Sequence, residues 1–469
     1  MTATVAAMPT TNLAPQPKIR RGRELALLVL GWCIGQFAVL QIHWATGIAV
    51  DSTVVLIAVV TAIMGLGLHL AVRFLAPYAE PVMVPTAYLL NLLGLAMIYR
   101  LDIAAQLRAA ANDSPQPTPV AVSQLTWCIA ALVLFIAVLW LVRDHRPLQR
   151  FTYLSLLGAI VMLLLPLMPG IGATINGATL WIRIGPFSFQ PGEIAKILFA
   201  IFLAGYLVTA RDSLSVARRR ILGVSIPRGR DLGPVLVAWF LCLAILVFKV
   251  DIGTAFVFFG MFILLVFVAT GRWSWLIIGA VLALVGGLFA YAAFGHVRIR
   301  FTIWLDPFAF ADGSGFQIVQ SLFGLANGGL LGTGWGQGFP QLVPFANSDF
   351  IVASLGEELG MVGLFAILLL YAILVQRGLR TATICRDTFG RLLAVGLISV
   401  LALQVFVVVG GVSKLIPMTG MVAPFLAAGG SALVSNWMMI ALLVRISDVT
   451  RMPDPSVPAG GPQPPEAVR

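Results

Sequence analysis

The sequence predicts an all-α polytopic membrane protein of about twelve transmembrane helices, with both termini on the cytoplasmic side. Three observations lead there. Of the 469 residues 59% are hydrophobic and only 10% charged, whereas soluble domains carry about a quarter charged residues. Apolar runs of about 20 residues, each able to cross a bilayer as a helix, recur along the chain. They are continuous rather than alternating, which excludes a transmembrane barrel. Finally, the arginines gather in short loops between runs, the signature of topology rather than of nucleic-acid binding.

In chain order, residues 1–23 read as a disordered cytoplasmic N-terminus. Spans follow near 24–43, 53–75, 81–100 and 123–142, with no small-residue cleavage site after the first, so it is a retained helix and not a signal peptide. Further spans lie near 151–168, 189–209, 232–249, 252–270, 273–294, 349–375, 388–412 and 422–446. The Pro-rich end, 447–469, reads as a disordered cytoplasmic tail. With the N-terminus inside, "KIRRGR", "RDHRPLQR", "ARRRILGVSIPRGR" and "QRGLRTATICR" share one face, and 22 of the 30 Lys and Arg fall on it. The other eight are Arg100, Arg108, Arg183, Lys196, Lys249, Arg298, Arg300 and Lys414. They lie in outer loops or near the outer face, where the positive-inside rule disfavours them, so that side wants positive charge. It also carries the longest loop, 295–348, whose apolar positions recur at helical spacing. Long loops of that kind are functional or re-entrant.

Charged side chains inside spans are costly and mark function by default. In "WIRIGPFSFQPGEIAK" (181–196), Pro191 suits the first turn of a helix, and Gln190, Glu193 and Lys196 then share one face. They could form a self-satisfied pair that holds helices together, or face a ligand. In "NSDFIVASLGEELG" (347–360), Asp349 is expected to cap the tenth span. Glu357 and Glu358 lie roughly 12 Å deeper, so at least one should face the bundle interior. In "VFKVDIGTAFVFFG" (247–260), Asp251 could be the N-cap of the eighth span, with Lys249 snorkelling at the outer interface. Against that bland reading, Lys249, Arg183, Arg298 and Arg300 fall on the same side as Asp251. A carboxylate among cations on one membrane face suits a phosphorylated substrate with a proton to remove.

Other chemistries lack their residues. Walker A, HExxH and GxSxG motifs are missing, and His43, His69, His145 and His296 are scattered and make no metal pattern with the four cysteines. Those cysteines suggest no disulfide framework.

Five ordered stretches, "NGATLWIRIGPFSFQPGEIAKI", "KVDIGTA", "GFQIVQSLFGLANGGLLGTGWGQG", "SDFIVASLGEELGMVG" and "PMTGMVAPFLAAGGSALVSN", resemble the SEDS family, whose main branches are RodA and FtsW. The likeness covers roughly residues 150–446. With the "RIRFTIWLDPF" stretch and the short tail, it looks most similar to the actinobacterial RodA branch. The resemblance implies a ten-helix core preceded by two further N-terminal helices, and the domains are expected as N-terminal transmembrane helices at 24–142 and a SEDS-like core at 143–446 with the extracellular loop 295–348. It implies a peptidoglycan glycosyltransferase that polymerises lipid II outside the cytoplasmic membrane. Partners would be a class B penicillin-binding protein, an elongation or division complex and membrane lipids. Asp251 matches the family's essential aspartate, and Trp181, Glu193 and Lys196 match cavity-lining positions. Where the family reads "QPSE" and "SYGGSS" this chain reads "QPGE" and "AAGGSA", which leaves Ser431 among the expected hydroxyls. On this reading Asp251 is the general base, and substrate contacts come from Trp181, Arg183, Gln190, Glu193, Lys196, Lys249, Arg298, Arg300, Asp349, Glu357, Glu358 and Ser431. No cofactor is certain; a divalent cation such as Mg or Mn could help stabilise the leaving diphosphate. The elongation role of RodA is the expected one; an FtsW-like division polymerase, a lipid II flippase or other transporter, and a non-catalytic scaffold are the rival readings.

Overall fold

The computed structural model describes residues 21–175, 178–185, 187–215, 219–221, 224–226 and 229–453. The expected disordered ends fall largely outside these residues. Fourteen α-helices are described: α1 (Arg21–Thr46), α2 (Ser52–Leu75), α3 (Met83–Ala111), α4 (Val120–Leu141), α5 (Thr152–Leu164), α6 (Pro191–Ser215), α7 (Gly229–Phe248), α8 (Ile252–Thr270), α9 (Ser274–Ala293), α10 (Gly295–Leu305), α11 (Phe316–Gly328), α12 (Ile351–Ile384), α13 (Thr388–Val412) and α14 (Gly430–Arg451). Among the described residues, eleven helices are long and apolar enough to cross a membrane, and Leu236–Phe248 of α7 is a shorter apolar segment. Together they recover the twelve spans read from the sequence.

Local chemistry sets several ends. Asp51 caps α2 by accepting from the Val54 N–H at 3.1 Å, and Asp387 caps α13 in the same way from Gly390. Gly271, left-handed at φ 68°, closes α8. Three boundaries differ from expectation. Helix α3 continues to Ala111 because its polar end is held: Asp102 accepts from the N–H groups of Val120 and Ala121 at 3.0 and 2.7 Å. The last span opens at Gly430, not near 422, because Pro424 and the left-handed Gly420 and Phe425 keep the preceding apolar stretch irregular. And α12 is broken at Gly360, where φ 69° and ψ −174° are open to glycine alone.

That break organises the long loop. Freed backbone of α12 pairs with the Gly-rich segment beside it, Thr333 N–H to Glu357 O at 3.0 Å, Gly334 N–H to Glu358 O at 2.9 Å and Met361 N–H to Gly329 O at 3.0 Å. Helix α14 lies at the centre, packed on α3, α4, α6, α12 and α13. Helix α9, by contrast, packs mainly on α8 and α10 and turns Leu284, Val285 and Phe289 outward, as a lipid-facing helix does. A three-stranded antiparallel sheet, β1 (Gly172–Ile175), β2 (Ala178–Ile184) and β3 (Phe187–Phe189), leads into α6 and was not foreseen. A small hairpin of β4 (Arg219–Ile221) and β5 (Val224–Ile226) precedes α7.

Candidate active site

Asp251 is placed by an unusual turn. At the end of α7 the Asp251 N–H bonds Leu246 O and the Val250 N–H bonds Val247 O, both at 3.0 Å. This reversal puts its left-handed residue at Val250, with φ 64°. Glycine is the usual choice there, and a β-branched residue in that region is strained. The turn delivers Asp251 to the start of α8, where its carboxylate accepts from the Thr254 N–H at 3.0 Å and remains 7% exposed. The capping reading of Asp251 therefore holds, and the same side chain also faces a cavity. Lys249 does not snorkel: it is 3% exposed and donates to Leu163 O at 3.0 Å, pinning the end of α5.

The cavity has a volume of about 300 Å³ and its wall comes from six parts of the chain. The β2–β3 hairpin supplies Trp181 and Ser188, α6 supplies Glu193 just after Gln190, and the α7–α8 turn supplies Asp251 and Thr254. The end of the long loop contributes Ser348 and Asp349, α13 contributes Gln404, and the irregular stretch running into the start of α14 contributes Gly420, Met421, Val422, Ala428, Gly429 and, on α14 itself, Ser431. Glu193 and Lys196 do share a face, joined at 2.8 Å with side chains 4% and 0% exposed. Lys196 stands behind Glu193 and also donates to Gln404 Oε1 at 3.0 Å; Gln404 in turn donates to Val422 O at 3.0 Å. The Ser435 hydroxyl bonds Glu193 O at 2.7 Å, and the Gln190 N–H donates to the Ser431 hydroxyl at 2.8 Å, which fixes α6 against α14.

A second cavity of about 310 Å³ is lined by His296, Arg300, Trp304, Gln317, Lys414 and Met418 among others. Arg300 donates to Met418 O and Thr419 O at 3.2 and 2.8 Å. A Cβ built at Gly420 would lie 3.8 Å from Asp349 Oδ2 and 4.0 Å from Arg300 Nη2. Arg300 therefore sits at the seam between the two cavities, and residue 420 has no side chain to close it.

Of the expected site residues, Asp251, Trp181, Gln190, Glu193, Asp349 and Ser431 line the first cavity. Several placements correct the sequence reading. Asp349 does not cap α12, whose N-cap is Phe350 without a side-chain bond; it borders the cavity instead. Glu358 pairs with Arg100 at 2.9 Å and accepts from the Gly336 N–H at 3.0 Å. Glu357 accepts from Asn327 at 2.9 Å and from the Phe339 N–H at 2.8 Å. Both acids are buried, as expected of at least one, but they are satisfied by protein and hold the long loop against α3 and α12. Arg298 is exposed, donating to Ala292 O at 3.0 Å over the Tyr291 ring, and Arg183 is exposed on β2; neither lines either of these two cavities. Gln404, Thr254 and Ser348 were missed. A lone amide within the apolar run of α13 was the available signal for Gln404.

These features define a class: a polytopic helical membrane protein with a carboxylate-walled cavity bordered by the end of a long loop. The chain belongs to the cell cycle protein family of FtsW, RodA and SpoVE, whose family model matches residues 80–452. That match takes in α3 to α14 and leaves α1 and α2 as two additional N-terminal spans. The peptidoglycan glycosyltransferase RodA of Mycobacterium tuberculosis is 44% identical over 94% of this chain and 93% of its own length. RodA of Mycobacterium leprae is 42% identical over 96% of this chain and 95% of its own. A probable peptidoglycan glycosyltransferase FtsW of Geobacter metallireducens is 35% identical over 66% of this chain and 80% of its own. Among solved structures, a peptidoglycan synthase complex coordinating polymerization and crosslinking has a chain that matches with TM-score 0.62 and 25% identity, over 80% of this chain and 99% of that one.

Proposed function

We infer that this chain is a peptidoglycan glycosyltransferase of the RodA type, a multi-pass inner-membrane enzyme that polymerises lipid II into glycan strands during elongation. The RodA relatives match nearly its whole length, while the FtsW relative matches two thirds of it at lower identity. One observation carries the chemical reading: Asp251, capping α8 and almost buried, lines a cavity together with Glu193, whose partner Lys196 stands behind the wall.

In the proposed step the 4-hydroxyl of one lipid-linked disaccharide attacks the anomeric carbon of another. Asp251 takes the hydroxyl proton as the new C–O bond forms, and the bond to the polyprenyl diphosphate breaks with its electron pair. A positioned base contributes about 10²–10⁴-fold to such a step. Negative charge building on the diphosphate needs fixed positive charge, and Arg300 at the seam with Lys414 beyond it supplies that. Two neighbouring cavities suit two lipid-linked sugars meeting between them. The acids of the first cavity do not gather three donors at one point; among the described residues the one such cluster lies elsewhere. A divalent cation here would take part of its coordination from the diphosphate, and the proposed step does not depend on one.

A reaction at the outer face, with the Arg-rich loops inside, is the reading that the outer cations and the long loop support. A class B penicillin-binding protein would cross-link the product, in keeping with the synthase complex that this fold resembles. The purified chain incubated with lipid II should yield glycan polymer, and more when the partner is added. No polymer in either condition, with the fold intact, would favour a transporter or scaffold.

A further inference from the structure

On the Arg-rich face, away from both cavities, three donor side chains from distant parts of the sequence converge. His145 lies in the turn between α4 and α5, Cys385 closes α12 and Asp387 opens α13. His145 Nε2 is 2.8 Å from Asp387 Oδ2, Cys385 Sγ is 3.3 Å from the same oxygen, and the three donor atoms lie within 4.8 Å of one another. His145 is 0% and Cys385 2% exposed. We propose that His145, Cys385 and Asp387 form a zinc site that clamps the α4–α5 turn to the α12–α13 turn.

Four features point to a metal rather than a plain hydrogen-bonded cluster. The donor set, one imidazole, one thiol and one carboxylate, is the N/S/O mixture that zinc takes. Asp387 is pre-set for it: Oδ1 is occupied by the Gly390 N–H at 2.6 Å, which turns Oδ2 toward the other two donors. The remaining ring nitrogen, His145 Nδ1, is buried without a hydrogen-bond partner, and the Asp144 carboxylate stands 3.6 Å away from it. A metal-bound imidazole characteristically turns its second nitrogen to such a carboxylate, which a shift of a few tenths of an ångström would achieve here. Lastly, Gly390 presses bare backbone against the cluster. A Cβ there would lie 2.3 Å from His145 Nε2, 2.7 Å from Asp387 Oδ2 and 2.9 Å from Cys385 Sγ, so only glycine lets all three donors converge on α13.

The charges balance. Binding releases the thiol proton of Cys385, a Zn–S bond replaces the S–H bond, and thiolate plus carboxylate neutralise the dication. Two cations border the cluster: Arg146, with Nε 4.0 Å from Asp387 Oδ2 and a side chain 58% exposed that can turn to water, and Arg391, which donates to the Cys385 carbonyl at 3.3 Å and so is already engaged with backbone. Three protein ligands leave a fourth position for water. Sequence spacing hides the site, since His145 and Asp387 are 242 residues apart.

Zinc content of the full-length chain, purified in detergent without chelator, is the test. About one zinc per chain is expected, and replacement by cobalt should produce a thiolate-to-cobalt charge-transfer band. Cys385→Ser should abolish the band and lower affinity at least about tenfold. Gly390→Ala keeps every ligand but drives a methyl into the cluster, and should lose the metal while gaining helix propensity. Chelation should lower the thermal midpoint of the wild-type chain but not of Cys385→Ser. A wild-type chain that takes up no more zinc than the triple variant His145→Ala, Cys385→Ser, Asp387→Asn overturns the proposal. So does Cys385→Ser with the wild-type cobalt spectrum.

Discussion

Replacing Lys196 with Met keeps the length of the side chain and removes its charge from the most enclosed ion pair of the candidate site. The Lys196 ammonium is 2.8 Å from Glu193 and 3.0 Å from Gln404, and it is completely buried. Its loss leaves the Glu193 carboxylate, 3% exposed, without a counter-ion. Removing one partner of a buried pair costs about 3–5 kcal/mol, because the remaining charge is desolvated and uncompensated. Replacing both partners with neutral residues, as in Glu193→Gln with Lys196→Met, removes that orphan charge, so the double variant should regain about half of the loss or more. Polymerisation should follow a different course: each single variant damages it, and the double variant does little further harm, because both act on the one wall. The measurement is a double-mutant cycle read twice, by thermal unfolding in detergent and by glycan synthesis from lipid II. Additive losses in both readouts would refute the coupled pair.

Two further variants probe placement of the reacting groups. Val250→Gly relieves a left-handed backbone that costs a valine about 1–3 kcal/mol, so unfolding should shift upward or stay level while turnover falls as the turn holding Asp251 loosens; a marked loss of stability would show the strain assignment to be wrong. Arg300→Gln should raise the lipid II concentration needed for half-maximal rate about tenfold or more, whereas Arg298→Gln, whose guanidinium bonds only local carbonyls on the surface, should leave it unchanged; equal effects would contradict the separation seen in the structure.

Long-range apolarity made the bundle readable, since a run of about 20 apolar residues has few other stable uses. The Glu193–Lys196 pairing was readable for a local reason: three-residue spacing on a helix opened by Pro191 fixes a shared face. What stayed hidden depends on contacts between distant segments. Glu358 finds Arg100 across 258 positions, and nothing in either neighbourhood announces the other. The apolar stretch ahead of α14 reads as helix by composition, yet prolines and left-handed residues make it the irregular wall of the cavity. Strands β1 to β3 were overlooked because "ATLWIRI" is short and apolar, a pattern that does not separate strand from helix. Arg298 and Arg300 look alike in sequence, and only their directions around α10 tell a surface cation from one at the seam.

The central claim is that the Asp251 carboxylate removes the acceptor proton, and Asp251→Asn tests it most directly. Asparagine has nearly the same size and its side-chain oxygen can still accept the Thr254 N–H, so the turn and the cap should survive, as an unchanged thermal midpoint would confirm. With lipid II saturating, the variant is expected to polymerise about 10²–10⁴ times more slowly than the wild-type chain. A stable Asp251→Asn chain that makes glycan at the wild-type rate would contradict the account.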